Sequence, residues 1–337
     1  MKVGIRVDVN QQIATGHIKR DIAIALCLRE MGHECLFICA DTNCKEYLEA
    51  HNFEYVVLHS MWDDMESELD NLKKVIAEYK VKSLLVDSYM VTENYMKQLA
   101  EITYVTYFDE LGKMGYGCQK LINGLLEPCD YSDARGTLLL GPKYVALRQE
   151  FSNLPPKKVS SEIKKILVTS GGTDNEHFCL NFVEFFLAKE TWNHAQLVVV
   201  VGGLSVDKEK ICQLYKDEKR VDIHVNAQNM AELMQTSDYA ITAGGTSLYE
   251  VCAAGVMASS YAIADNQLDA VKSFDRNGVV RFAGDYRVNP EETMNNILQQ
   301  MYEANAMEVR KCKAVELQKL VDGNGARRIA EELLYVE

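Results

Sequence analysis

Short, strongly apolar runs alternate with stretches of helical periodicity along nearly the whole chain. The first half carries "KVGIRVDV" (2–9), "CLFICA" (35–40), "YVVLH" (55–59), "SLLVDS" (83–88) and "TYVTYF" (103–108), separated by helical segments such as 17–32, 64–79 and 92–101. Strands this apolar belong to a mostly parallel sheet covered on both faces by the intervening helices. The alternation stops at "FSNLPPKKVSSEI" (151–163), where two of the chain's five prolines stand among polar residues. It restarts with "KKILVTSGG", "AQLVVVVGG", "VDIHVN", "DYAITAGG" and "ASSYAI", and the tail reads as helical from 290 onward. A chain of 337 residues has room for two cores. The expected fold class is therefore α/β, with two doubly wound domains over 1–152 and 160–337 and a cleft between them.

Charge narrows the function. A net charge of −13 argues against nucleic acid or an anionic membrane surface as the main partner. A phosphate-bearing ligand has to be held by backbone N–H groups and local cations rather than by a broad basic field. No apolar run approaches the ~20 residues of a membrane helix, and "MKVGIRVDVN" enters a strand pattern without the apolar core of a secretion signal. The ten cysteines include no C-x-x-C pair. Cys35 and Cys39 share strand parity, which suits small buried hydrophobes better than a zinc site. Unpaired thiols without a secretion signal point to a reducing cytoplasm. The expectation is a cytoplasmic protein with no nucleic-acid partner, no stable membrane insertion and no metal.

In doubly wound sheets, ligands bind outside the carboxyl ends of the strands. That rule selects loops 8–17, 170–175, 202–206, 226–230 and 244–250. "LVTSGGTDN" (167–175) and "ITAGGTSLYE" (241–250) share one design, a buried strand, a glycine pair and a helix start. Glycine lets a backbone approach a phosphate closely, and a helix N-terminus supplies free donors and positive potential. Either loop alone could equally be a tight turn with a capped helix. The pair together points to a diphosphate or nucleotide. Glu250, one helical turn beyond Thr246, would be repelled by phosphate, so ribose hydroxyls suit it better; the alternative is a solvated helix glutamate. Asn266 and Gln267 open a further helix where amides could cap it or grip sugar hydroxyls.

His17 follows Gly16 at the start of the first helix. A helix N-terminus disfavours positive charge, so an imidazole there tends toward the uncharged state that a general base requires. A polar cap at a glycine turn is the competing reading.

The spacing of these pieces resembles the PseG/SpsG family, MurG-like proteins with two Rossmann-type domains in a GT-B arrangement. The resemblance runs through "RVDVNQQIATGHIKRDIAIA" (6–25), "LLLGPKYVALRQEF" (138–151), "LVTSGGTDN", "ITAGGTSLYEVCAAGV" (241–256), "ADNQ" (264–267) and "VDGNGARRIAEEL" (321–333). It implies hydrolysis of a UDP-linked diacetamido-trideoxyhexose to UDP and free sugar, with water attacking C1 with inversion, in nonulosonic (pseudaminic) acid synthesis. A glycosyltransferase with an acceptor hydroxyl in place of water is the alternative. The resemblance places the base at His17, with Asp8 as its orienting carboxylate. UDP contacts map to Gly171, Gly172, Thr173, Gly245, Thr246, Ser247 and Glu250, with uracil near Asn229 and Met230. Arg6, Asn10, Asn266 and Gln267 would face the sugar. No cofactor is called for. Asn10 and Ala14 depart from the family pattern, which bears on the sugar before it bears on the fold.

Overall fold

A computed structural model describes residues 1–10, 15–112, 117–132 and 134–336. The chain forms two units, Met1–Gln149 together with Gly323–Glu337, and Glu150–Asp322.

The first unit is built on seven strands, β1 (Lys2–Val7), β2 (Glu34–Cys39), β3 (Glu54–Val57), β4 (Ser83–Asp87), β5 (Tyr104–Phe108), β6 (Lys120–Asn123) and β7 (Thr137–Leu140). Their order is β3-β2-β1-β4-β5-β6-β7, and every pairing is parallel. Helices α1 (Gly16–Glu30), α2 (Lys45–Ala50), α3 (Leu69–Tyr79) and α4 (Glu93–Ala100) connect the early strands. The second unit has six parallel strands, β8 (Lys165–Thr169), β9 (Gln196–Val201), β10 (Val221–Val225), β11 (Tyr239–Ala243), β12 (Ala258–Ala262) and β13 (Arg281–Asp285), in the order β10-β9-β8-β11-β12-β13. Its helices are α5 (Phe178–Leu187), α6 (Lys208–Tyr215), α7 (Met230–Thr236), α8 (Ser247–Ala254), α9 (Asp265–Arg276), α10 (Pro290–Glu303) and α11 (Met307–Leu320); α12 (Gly325–Leu334) follows. In both sheets the strand order runs outward from the first strand and then reverses past it. This is the doubly wound arrangement that the alternation predicts.

Strand parity sorts the first core. Val3, Ile5 and Val7 of β1 pack with α1 and α12 on one face, while Leu36, Ile38, Leu84 and Val86 meet α3 and α4 on the other. Cys35 and Cys39 are buried in β2, as their parity suggests. Three strands lie outside the sequence reading, β6, β7 and β13. β6 (KLIN) and β13 (RFAGD) hold few apolar residues between polar or charged ends, β13 is broken by Gly284, and β7 (TLLL) runs straight into Gly141-Pro142.

The tail is helical as read, but its last helix differs in placement. Residues from Gly323 onward join the first unit rather than the second. The physical reason is α1, whose buried residues include Ile18, Ile22, Ala23, Ile24, Ala25 and Leu28, more than one sheet face can cover. The stripe Ala326, Ile329, Ala330 and Leu333 of α12 supplies the second cover at helical spacing. Gly325 fixes the approach, because a Cβ there would lie 2.1 Å from the Val145 carbonyl oxygen.

Ile329 is fully buried, so Ile329→Ala should cost roughly 2–5 kcal/mol in urea unfolding. Amide exchange should accelerate in α1 and remain unchanged in α8. Acceleration confined to α8 and α10 would assign the tail to the second unit instead.

Candidate functional site

The strand order reverses at the carboxyl ends of β1 and β4 in one sheet and of β8 and β11 in the other, and such points are where ligands enter doubly wound folds. Within the first unit, Asp8, Asn10 and His17 follow β1. Within the second, Gly171, Gly172 and Thr173 follow β8, and Gly245, Thr246, Ser247 and Glu250 follow β11. Asn266 and Gln267 open α9, and Asn229 and Met230 stand at the start of α7.

In the first unit, His17 and Arg20 stand one turn apart on α1, and both reach Asp87, the last residue of β4. The Nδ1 of His17 is 2.7 Å from Asp87 Oδ1. Arg20 donates from Nε to Oδ2 at 2.7 Å and from Nη2 to Oδ1 at 2.5 Å. Its Nη1 donates to Glu110 at 2.5 Å, and the Tyr89 hydroxyl donates to the other Glu110 oxygen at 2.9 Å. The Tyr89 ring meets the His17 ring edge-on with centroids 4.6 Å apart. Burial by itself would raise the Asp87 carboxyl, but the charge of Arg20 and the hydrogen bonds from His17 and Arg20 outweigh it and hold the group well below the usual carboxylate range. Glu110 is lowered in the same way, with Arg20 overcoming burial.

This geometry fixes the chemistry of the ring. An ionised carboxylate only accepts, so Nδ1 of His17 carries the hydrogen and the lone pair of the neutral ring lies on Nε2. His17 is 4% exposed, and its Nε2 is buried with no hydrogen-bond partner among the described residues. An imidazole nitrogen placed as an acceptor, with no donor to it among the described residues, is equipped to take a proton from a ligand.

Two expectations for this end of the sheet are corrected. The carboxylate that orients His17 is Asp87, because both oxygens of Asp8 are engaged elsewhere, with Arg6 Nη1 at 2.6 Å and the Ala40 N–H at 2.8 Å. Arg6 does not face a sugar. It is fully buried, donating to both oxygens of Glu68 at 2.7 and 2.8 Å as well as to Asp8. Ser60 and Tyr95 complete the Glu68 shell at 2.8 Å each. The cause is parity: Arg6 and Asp8 share the β1 face turned away from α1. Asn10 is half-buried at the same strand end, and residues 11–14, including the departure at Ala14, lie outside the described residues.

The second unit divides its glycines into two kinds. Gly202 and Gly244 are demanded by packing, since a Cβ at Gly202 would lie 2.3 Å from the carbonyl oxygens of Gly171 and Gly172, and one at Gly244 would lie 2.3 Å from Val271. Gly172 and Gly245 are different. A Cβ on either would meet nothing within 4 Å, and neither has the positive φ that sets Gly171 at +82°. Close approach of a ligand to the bare backbone is a physical reason for glycine at such positions.

The two helix starts also differ. The Asp174 carboxylate accepts from the Phe178 and Cys179 N–H groups at 3.0 and 2.9 Å, so α5 is capped by its own loop and the donors expected there for phosphate are engaged. Gly171, Gly172 and Thr173 remain exposed. Helix α8 begins after Thr246 with no side-chain cap; Gly245 and Thr246 are exposed and Ser247 is half-buried. Glu250 is buried one turn along α8. Asn266 is exposed at the start of α9, while Gln267 accepts the Ile263 N–H at 3.0 Å, so that amide does cap its own turn. Asn229 precedes α7 with its amide on Glu232 at 2.9 Å. The Met230 side chain is buried.

Sequence reasoning missed Asp87, Arg20, Glu110 and Tyr89 as partners. The available signal was an acid closing the strand run "SLLVDS" and an arginine three residues after His17 in "GHIKR".

No family model matches the chain. It is similar to the spore coat polysaccharide biosynthesis protein SpsG of Bacillus subtilis, 23% identical over 345 residues that cover 98% of this chain and 96% of that protein. It is 21% identical over 256 residues to the UDP-2,4-diacetamido-2,4,6-trideoxy-beta-L-altropyranose hydrolase of Campylobacter jejuni, covering 74% of this chain and 87% of that one. It is 25% identical over 273 residues to the uncharacterized protein MJ1062 of Methanocaldococcus jannaschii, covering 76% of this chain and only 54% of that protein. Among solved structures, MurG of Acinetobacter baumannii superposes with a TM-score of 0.72 at 14% identity over 98% of this chain and 99% of MurG. The spinosyn rhamnosyltransferase SpnG, solved with thymidine diphosphate, superposes with a TM-score of 0.67 at 11% identity, over 99% of this chain and all of SpnG.

Asp87→Asn should lower stability at neutral pH. A carboxyl held low in the folded state contributes stability that is complete above its unfolded pKa of ~4 and is lost as pH falls through the depressed folded value. The stability difference between wild type and variant in urea unfolding should therefore shrink on acidification below about pH 4. A difference that is constant with pH would contradict the pairing.

Proposed function

We propose that this chain, a homologue of SpsG and of the trideoxy-altropyranose hydrolase in the two-domain fold of MurG, is a nucleotide-sugar hydrolase. Its substrate on this reading is a UDP-linked diacetamido-trideoxyhexose or a close relative, and its products are UDP and the free sugar. The observation that carries the reading is the His17 ring, held by Asp87 with its accepting Nε2 without a partner among the described residues.

The reading assigns proton transfer to the first unit and nucleotide binding to the second. Nε2 of His17 takes a proton from water as the water oxygen bonds to C1. The bond from C1 to the β-phosphate oxygen breaks and its electron pair leaves with UDP, so the anomeric centre inverts. The proton then passes to solvent. Asp87 stabilises the imidazolium formed in this step, in the manner of a general-base dyad. UDP departs readily as an anion, and its charge needs donors fixed in advance rather than a strong acid. The uncapped start of α8 and the bare backbones at Gly172 and Gly245 suit that task, with Glu250 toward the ribose. Uracil near Asn229 and Met230, through backbone groups on the Met230 side, and Asn10 and Asn266 toward the sugar complete the assignment. The enzyme is placed in nonulosonic acid synthesis and in a reducing cytoplasm; no helix among the described residues is long and apolar enough to cross a membrane. The likeness to MurG supports a second reading, transfer of the sugar to an acceptor hydroxyl by the same base.

Incubation with a panel of UDP-sugars and no acceptor should release free sugar and UDP from one or a few of them. Turnover only on addition of an acceptor selects the transferase. His17→Asn should lower kcat by ~10²–10⁴ with UDP affinity retained; undiminished turnover removes His17 from the base role. Glu250→Ala should weaken UDP binding by calorimetry, and an unchanged affinity would end its assignment to the ribose.

A further inference from the structure

Asp21 lies one turn beyond His17 on α1, is fully buried, and takes no part in the mechanism above. Neither of its carboxyl oxygens has a hydrogen-bond partner among the described residues. The cation beside it in sequence is committed elsewhere, since Arg20 spends Nε and Nη2 on Asp87 and Nη1 on Glu110. The group within hydrogen-bond reach of Asp21 is Asp87 itself. Two carboxylates offer each other acceptors only, so the contact is repulsive unless one of them carries a proton. Asp87 cannot be that one, because Arg20 and His17 both donate to it.

We propose that Asp21 is the proton-bearing partner of Asp87 at neutral pH, a positioning residue that donates a carboxyl hydrogen bond to the carboxylate holding His17. The chemistry of burial supports this, since an ionised carboxylate without donors is among the costliest groups to enclose. Burial first, and then the Asp87 charge, push the Asp21 carboxyl well above its ordinary value against the pull of Arg20. Charge balance supports it as well. With Asp21 neutral, the cluster of Asp87, Glu110 and Arg20 carries one net negative charge, and protonation of His17 brings it to neutrality. An ionised Asp21 would leave the same enclosed cluster with an uncompensated charge after proton transfer. A donor from Asp21 would add a further α1 contact to Asp87, which helps keep the carboxylate aimed at Nδ1.

That role rests on the reading of His17 as base; the protonation state does not, and the test separates them. Infrared spectroscopy of the intact protein at neutral pH should show the C=O stretch of an un-ionised, buried carboxyl group that disappears in Asp21→Asn. The asparagine amide keeps a donor toward Asp87 without a titrating proton, so this variant should hold kcat within severalfold of wild type. Asp21→Ala removes the donor and should lower kcat by roughly ten- to a hundredfold, as loss of an outer-shell partner of a functional histidine does, with KM nearly unchanged. Absence of the carboxyl band, or an Asp21→Asn variant as impaired as Asp21→Ala, overturns the proposal. If Asp21→Ala fails to fold, the band and the asparagine variant still decide it. A wild type that hydrolyses no UDP-sugar, yet shows the band, overturns the function and the positioning role while the proton assignment stands.

Discussion

A buried carboxylate has to be paired, and in the first unit that requirement falls on Asp87. It sits at the end of a central strand, 1% exposed, where an uncompensated charge would not be tolerated. Its compensation comes from two residues of one helix, His17 and Arg20, which share a face because they are three residues apart. Pairing Asp87 therefore sets the rotation of α1 at its start, the tautomer of the imidazole and the direction of its free nitrogen together. Arg20 carries the constraint further, tying Glu110 after β5 to the same carboxylate. Three successive strand ends of the sheet, those of β1, β4 and β5, are thereby held in one polar cluster.

The second unit meets a different constraint. The chain is acidic overall, so it cannot rely on a basic field to hold a phosphate. What it offers is backbone. Helix α5 is closed off by Asp174, whereas α8 starts without a side-chain cap, next to Gly245, which neither packing nor dihedral angle requires. The contrast between the two loops is informative because their sequences look so alike. Both read strand, glycine pair, helix, and only the hydrogen-bond partners separate them: α5 takes a side-chain cap from Asp174, while the first turn of α8 relies on backbone carbonyls alone.

Much of this was legible beforehand. The alternation of apolar runs and helices gave two doubly wound units, and the glycine turn before His17 marked the strand end that matters. What escaped had physical reasons. Strands β6 and β13 hold too few apolar residues for a run to stand out, and β7 ends directly in a Gly-Pro turn. Helix α12 returns to the first unit because α1 has two faces to bury, a need that sequence-neighbour reasoning does not register. Asp8 was the plausible orienter by proximity in sequence, but parity turns it away from α1 toward Arg6 and Glu68. Asp87 lies 70 residues from His17, and a pairing at that range is a product of sheet order, not of any local pattern. The same holds for Arg6, which the resemblance turned toward a sugar while its partners are the buried carboxylates of Asp8 and Glu68.

On the proposed reading, hydrolysis and transfer would share a base and a nucleotide site, so the difference between them would lie in what reaches the base. Nε2 of His17 has essentially no solvent-accessible area. Bringing a water molecule to it needs room of roughly one probe sphere, ~10–15 Å³, which a small shift of neighbouring side chains can provide. Bringing a sugar or lipid hydroxyl to the same nitrogen requires space for the whole residue that carries it. On the proposed reading, a closed nitrogen favours water, the smaller nucleophile, over an acceptor hydroxyl.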